Sequence, residues 1–205
     1  MKNVENKKFK ISNILLLALI AIAIVLITLL VIKYRERSIN EEKLKEVVLE
    51  ISEETTKENK ENEGEDTEEI PYIEYEGYQV IGKINITKIN LEYPILIEST
   101  EESLKKSISR FGDGKVNEIG NLCLAGHNYI NGAMFGDINK LENGDEIEIT
   151  DLHGNKVTYT VFDKFITDPN DTTVTKSVEE GRKEITLITC IHGNKDRLIV
   201  RASEK

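Results

Sequence analysis

The stretch Ile185-Thr186-Leu187-Ile188-Thr189-Cys190-Ile191-His192-Gly193-Asn194-Lys195-Asp196-Arg197-Leu198-Ile199-Val200 reads as strand, turn, strand. Its Thr, Ile, Leu and Val residues suit a pleated, half-buried surface, and Gly193-Asn194 is a reversal signal. In the first run Thr186, Ile188 and Cys190 share one face, while Ile185, Leu187 and Thr189 share the other. The loop length predicts that Arg197 stands across from Cys190. A guanidinium beside a thiol favours the thiolate, and its forked donors suit an oxyanion formed when sulfur attacks a carbonyl. Taken alone, the two residues fit better a buried structural cysteine with an edge-strand arginine facing water, since free cysteine is usually a core residue.

The same texture extends back to Ile70. Residues 78–86, 93–97 and 121–125 are short apolar or alternating runs, and 146–150 and 156–162 alternate on either side of Asp151-Leu152-His153-Gly154-Asn155, a hairpin turn. Only Thr100 to Arg110 reads as a helix, with Thr100 as cap and Leu104 and Ile108 on one face. Seven or so short strands with one small helix point to a mainly β fold, a barrel or a sandwich.

A thiol nucleophile in acyl transfer needs a proton shuttle, and the chain offers three histidines. His127 leaves the strand 121–125 within Ala125-Gly126-His127-Asn128, at the kind of strand exit where barrels carry sites. His192, two positions past Cys190, is the rival base. His153 sits in a hairpin turn, where a solvated histidine is the simplest reading.

Further out, the chain is segregated. Residues 14–32 are 19 positions of Ala, Ile, Leu and Val broken only by Thr28. At ~1.5 Å per residue such a helix nearly matches a ~30 Å hydrocarbon core, which predicts a transmembrane anchor. A cleaved signal peptide ending at Ala21-Ile22-Ala23 is the competing reading, but the apolar run is too long for one. Lys2, Lys7, Lys8 and Lys10 precede the span, and Lys33, Arg35, Arg37, Lys43 and Lys45 follow it, so basic residues do not set its orientation. Residues 34–69 carry 14 acidic and 6 basic side chains, and the half from Thr55 onward has nothing apolar to bury. Leu44, Val47, Val48 and Ile51 nevertheless fall at helical spacing. Either a self-associating stalk helix or a short amphipathic helix lying on lipid or fraying in water fits that stripe.

Composition narrows the function. A formal charge of −10 with no basic block repels phosphate backbones and excludes a nucleic-acid partner, and 2 Cys cannot form a four-thiolate zinc site. Nothing calls for a cofactor. No metal is assigned, because in an acidic chain solvation accounts for loop carboxylates such as Asp113, Glu118, Glu179 and Glu180.

Thr186-Leu187-Ile188-Thr189-Cys190 with the downstream Arg197-Leu198-Ile199-Val200 resembles the signature of sortases, and Leu124-Ala125-Gly126-His127-Asn128 resembles their histidine motif. Phe135-Gly136-Asp137-Ile138, Gly144-Asp145 and Asp168-Pro169-Asn170-Asp171 follow in order, so the resemblance covers roughly residues 77 to 202. It implies a closed β-barrel of about eight strands with one or two short helices, preceded by the transmembrane helix. It also implies a membrane-anchored cysteine transpeptidase that cleaves a Leu-Pro-x-Thr-Gly-like signal between Thr and Gly. By the same resemblance Cys190 is the nucleophile, His127 the proton shuttle and Arg197 the oxyanion or backbone donor, and Thr189 and Asn128 are substrate-binding. Partners would be sorting-signal-bearing surface proteins and an amine acceptor such as a peptidoglycan precursor.

The expected organisation is a cytoplasmic tail over 1–13, an anchor over 14–32, an acidic stalk or linker over 33–69, and an extracellular catalytic domain over 70–205. A single-pass class A or D type fits this layout better than the pilin-polymerising class with a carboxy-terminal anchor. Two other readings stand beside it. One is a non-catalytic, membrane-tethered β-domain that binds a wall or protein partner, with Cys123 and Cys190 in a disulfide. The other is a protease with water as acceptor.

Overall fold

The computed structural model describes residues 16–32, 35, 42–51 and 72–205. The expected cytoplasmic tail lies outside the described residues, as do most of the stalk and the first two positions of the anchor. The chain divides into two units, 1–43 and 44–205.

In the first unit residues 16–32 are helical, with every side chain exposed. The hydroxyl of Thr28, the one polar side chain, donates to Ile24 O within the helix at 2.8 Å. Among the described residues no helix is long and apolar enough to cross a membrane.

The second unit is built on nine strands: β1 (Glu74–Tyr75), β2 (Tyr78–Ile86), β3 (Leu91–Leu96), β4 (Ile108–Arg110), β5 (Gly120–Ala125), β6 (Glu146–Thr150), β7 (Lys156–Thr167), β8 (Lys183–Ile191) and β9 (Asp196–Glu204). They are ordered β1-β2-β3-β4-β5-β8-β9-β7-β6, and β6 returns to pair with β2, so β2 to β9 close an eight-stranded barrel with β1 added as a hairpin. The β3–β4 and β5–β8 pairs are parallel and the rest antiparallel. Closure depends on Gly82, which sits at a bulge in β2 with φ +153, where a Cβ would lie 2.5 Å from Thr150 O on β6. Alternate residues of each strand fill the interior, among them Ile84, Leu122, Leu124, Ile185, Leu187 and Val200.

Two expectations need correction. The helix anticipated over Thr100–Arg110 stops at Leu104: only Glu101–Leu104 is helical, capped reciprocally by Thr100 and Ser103. Ile108 is instead drawn into β4 beside Ile95, and Ser107 Oγ donates to Pro94 O at 2.6 Å. Completing the sheet between β3 and β5 outweighs a short helical stripe.

The compact unit also begins at Leu44, well inside the segment assigned to a stalk. Residues 42–51 are helical as their spacing predicts. Their apolar stripe is covered within the chain: Val47 and Ile51, with Leu44 at the edge, pack with Ile73, Tyr75, Val80, Leu96 and Leu152 as a second small core. Sequence reasoning missed this because the matching apolar patch on the barrel is scattered over β1, β2, β3 and the turn after β6.

Candidate active site

Four neighbouring strands, β5, β8, β9 and β7, form one wall of the barrel. Leu122, Leu124, Ile185, Leu187, Leu198 and Val200 point inward, so by alternation Cys123, Thr186, Ile188, Cys190, Arg197, Ile199 and Arg201 lie on the outer face. The registers arrange these in rows. Cys190 pairs with Arg197, and Arg197 pairs with Thr167 at the end of β7. One row down are Ile188, Ile199 and Phe165, and the next row holds Thr186, Arg201 and Asp163.

On the other flank of Cys190 the parallel β5–β8 ladder ends at Ala125 and Ile188, and Gly126 N continues it by donating to Ile188 O at 3.2 Å. Two residues beyond Ala125 is His127, level with Cys190, which is two beyond Ile188. The thiol therefore has Arg197 on one neighbouring strand and His127 on the extension of the other.

The exit of β5 is tied down by a set of short-range bonds. Thr189 Oγ1 donates to Gly126 O at 2.7 Å, Asn128 Nδ2 donates to Cys190 O at 2.9 Å, and Phe135 N donates to His127 O at 3.0 Å. Gly126 must lack a side chain, because a Cβ there would meet the Phe135 ring at 2.8 Å. Thr189, expected to touch substrate, is 2% exposed with its hydroxyl committed to Gly126, so its place is an internal clasp between β8 and β5. Asn128 is exposed, but its amide hydrogens hold the carbonyl of Cys190.

The three central side chains are half-buried. The ring of His127 lies 5.3 Å from that of Tyr129, tilted by 56°, and its nitrogens make no hydrogen bond among the described residues. Arg197 Nη1 donates to Asn194 O at 3.3 Å and Asp196 O at 3.2 Å, which anchors one arm of the fork in the turn. Its Nε and Nη2 are unengaged among the described residues and remain available as donors. His192, the rival base, is exposed in the turn with φ +50, and its Nδ1 lies 2.8 Å from Asp196 Oδ2. His153 stands in the turn closed by Asp151, which accepts from His153 N and Asn155 N. It lines a cleft of about 510 Å³ with Gln79, Arg110, Lys115 and Asn117, which contains none of the three central residues.

Cys123 contrasts with Cys190. Both thiols are free, so the disulfide considered from the sequence is not formed. Cys123 is 1% exposed, and burial pushes its thiol up to about 11, against the downward pull of a Thr186 hydrogen bond and the Arg201 charge. Among the described residues no cluster of three His, Cys, Asp or Glu side chains could hold a metal. Glu118 pairs with Lys115 at 3.4 Å and Glu179 with Arg182 at 2.9 Å.

The model of the Sortase domain matches residues 84–205. Sortase A of Bacillus anthracis is 39% identical over 114 residues, 55% of this chain and 53% of its own length. The chain spans about half the length of the curated relatives it matches. Among solved structures, a Clostridium perfringens Sortase D5 transpeptidase superposes with a TM-score of 0.61 at 33% identity, covering 82% of this chain and 99% of that one. A Clostridium perfringens sortase C, solved with the C-terminal cell wall sorting motif, gives 0.53 at 25% identity over 78% of this chain and 90% of its own.

Proposed function

The chain belongs to the sortase family, and from that premise we propose that it is a membrane-anchored cysteine transpeptidase acting on a Leu-Pro-x-Thr-Gly-like sorting signal. The observation that carries this reading is the alignment of Cys190 with Arg197 across β8 and β9, together with the parallel β5–β8 pairing that brings the His127 segment level with the thiol.

The chemistry follows from these positions. Cys190 Sγ attacks the threonine carbonyl, and the unengaged Nε and Nη2 of Arg197 stabilise the oxyanion or hold the adjoining substrate carbonyl. The C–N bond to glycine breaks as His127 gives its proton to the departing amine, leaving a thioester on Cys190. An incoming amine, such as that of a peptidoglycan precursor, gives a proton to His127 and attacks the thioester, and Cys190 leaves as thiolate. Water in place of the amine gives hydrolysis by the same path.

Anchoring through residues 14–32, with the barrel outside the cell, is part of the proposal. It is supported by the exposed, wholly apolar side chains of the described helix apart from a self-satisfied Thr28. The activity is tested by incubating the protein with a sorting-signal peptide and trapping the adduct for mass spectrometry. A thioester on Cys190 that disappears on adding an amine is expected; an adduct on Cys123, or none in a folded Cys190-bearing protein across a peptide library, overturns it. Extraction of the full chain from membranes by detergent but not by alkali tests the anchor.

A further inference from the structure

The end of the barrel opposite the thiol opens into a polar cleft. β5 and β8 begin there, at Gly120 and Lys183, and Cys190 stands seven residues along β8 from Lys183, about 23 Å at ~3.3 Å per residue. The loop 111–119, which joins β4 to β5, folds back over this mouth. Val116 packs against the main core, Asn117 Nδ2 donates to Ile149 O at 3.2 Å and to Asn155 O at 2.8 Å, and the Tyr159 hydroxyl donates to Asn117 Oδ1 at 3.2 Å. The cleft of about 510 Å³ lies between this loop and the turn 151–155, so its walls are held in place by the protein's own bonds.

Its charge is unlike that of the chain. Arg110 pairs with Leu124, whose side chain points into the barrel, so the guanidinium is on the inner face with the sheet between it and Cys190. Its Nε donates to Ile97 O at 2.9 Å, while Nη1 and Nη2 engage no group among the described residues. Ile97 N in turn donates to Gln79 O at 2.9 Å, which brings Gln79 alongside, and the Gln79 side-chain amide is also uncommitted among the described residues. Lys115 and Lys183 line the same cleft.

The carboxylates at the cleft are engaged elsewhere. Asp151 accepts from His153 N, Asn155 N and Asn155 Nδ2, and Glu118 pairs with Lys115 at 3.4 Å. Lys183 is only loosely paired, 3.7 Å from Glu204. A chain with 37 acidic residues and a formal charge of −10 thus leaves a half-buried guanidinium without a counter-ion among the described residues.

An open guanidinium fork is suited to an oxyanion. The two oxygens of a carboxylate are satisfied by the fork alone, which leaves the Gln79 amide and the two ammonium groups with nothing to bind. A phosphate group has more acceptor oxygens and carries up to about two charges, and so matches fork, amide and ammonium groups together.

We propose that this mouth of the barrel is a phosphate-binding site, with Arg110 as the bidentate donor and Gln79, Lys115 and Lys183 completing its shell. Two sources carry the group, a free phosphate ion and the glycerophosphate headgroup of a lipid. The site is separate from the chemistry at Cys190, and the reading of that chemistry does not enter its test.

The full chain in non-ionic detergent is titrated, at constant ionic strength, with sodium phosphate and separately with glycerophosphoglycerol, the water-soluble headgroup of phosphatidylglycerol, and binding is followed by phosphorus NMR line broadening. Saturable binding of at least one is expected, and the tighter of the two names the source. Arg110→Gln should weaken it by at least roughly tenfold and Gln79→Leu by about threefold, from the loss of a charge-assisted and a neutral hydrogen bond. Lys156→Gln, in a pair with Glu148 outside the cleft, should leave it unchanged. No saturable binding of either probe overturns the site, as does an unaltered affinity in Arg110→Gln or an equal loss in Lys156→Gln. Displacement of phosphate by an equal concentration of acetate refutes the choice of phosphate over carboxylate. Arg110→Gln also disturbs the bond to Ile97 O; should it fail to fold, an unchanged affinity in Gln79→Leu, whose side chain has no such bond to lose, overturns the proposal by itself.

Discussion

Replacing Ile51 by Ala tests whether the helix 42–51 is part of the catalytic unit. Ile51 is fully buried, and its neighbours in the small core are Val47, Ile73, Tyr75, Val80, Leu96 and Leu152. A buried Ile→Ala change costs about 2–4 kcal/mol, depending on how far the surroundings collapse. At ~1.4 kcal/mol per tenfold, that shifts the docking equilibrium of the helix by roughly thirtyfold to several hundredfold. Tyr75 reports the result. Its phenol is pushed up to about 12, first by burial and then by the charges of Glu76 and Tyr93. Because the folded-state value is the raised one, the neutral phenol's contribution to stability is whole below about 10 and disappears as pH climbs from about 10 to about 12. Undocking the helix exposes Tyr75, so spectrophotometric titration of Ile51→Ala, and of residues 70–205 alone, should show one tyrosine moving down toward about 10. Urea unfolding of both should show a lower midpoint than residues 42–205. If neither the titration nor the midpoint changes, the helix is an ornament and the autonomous domain begins near Ile70 as the composition implies.

Arg197→Lys keeps the charge but loses the planar fork whose Nη1 is anchored to Asn194 O and Asp196 O, so acylation of Cys190 should fall by at least roughly tenfold with little change in stability; an unimpaired acylation rate by mass spectrometry would refute the oxyanion role. His127→Ala should lower peptide turnover by at least about 100-fold, while His192→Ala, whose ring contacts Asp196 in an exposed turn, should change it little; the reverse ranking would mean that the turn histidine is the proton shuttle. Asp171 is held below the ordinary carboxylate range by hydrogen bonds from Thr167 and Thr173, with Arg201's charge assisting. A depressed folded-state value means that its ordering effect is complete above about 3.9 and is lost as pH falls through the folded-state value. Protection of the amides around residues 168–173 should therefore hold at neutral pH and weaken in acid, and Asp171→Asn should lack it at neutral pH; wild-type protection factors that stay constant as the pH falls into acid would contradict this.

Local chemistry is what the sequence carries on its own. The alternation in Ile185–Cys190, the Gly193-Asn194 reversal and the runs on either side of Asp151–Asn155 specify strands and hairpins because each involves residues within a few positions of one another. The pairing of Cys190 with Arg197 belongs to the same class, since one short turn fixes its register. The motifs around His127 and Cys190 carried the family resemblance, and the spacing of Leu44, Val47, Val48 and Ile51 fixed a helix.

The rest required partners distant in the chain. The sequence places His127 at a strand exit but does not say which strand runs beside it, because the parallel β5–β8 ladder joins segments 63 positions apart, as in Ala125 with Ile188. The helix at 42–51 finds its cover in residues drawn from β1 to β3 and the β6–β7 turn, and no periodicity within the helix announces them. Thr189 reads as a substrate contact next to the nucleophile, yet the pleat turns it inward to Gly126. Asn121 and Arg201 read as an ordinary strand amide and a remote arginine, and only the path of residues 168–182 over the outer face makes donors of them. Local propensities act through neighbouring dihedrals and are written along the chain, whereas the side chains that meet across strands are chosen by barrel closure, which the whole chain decides at once.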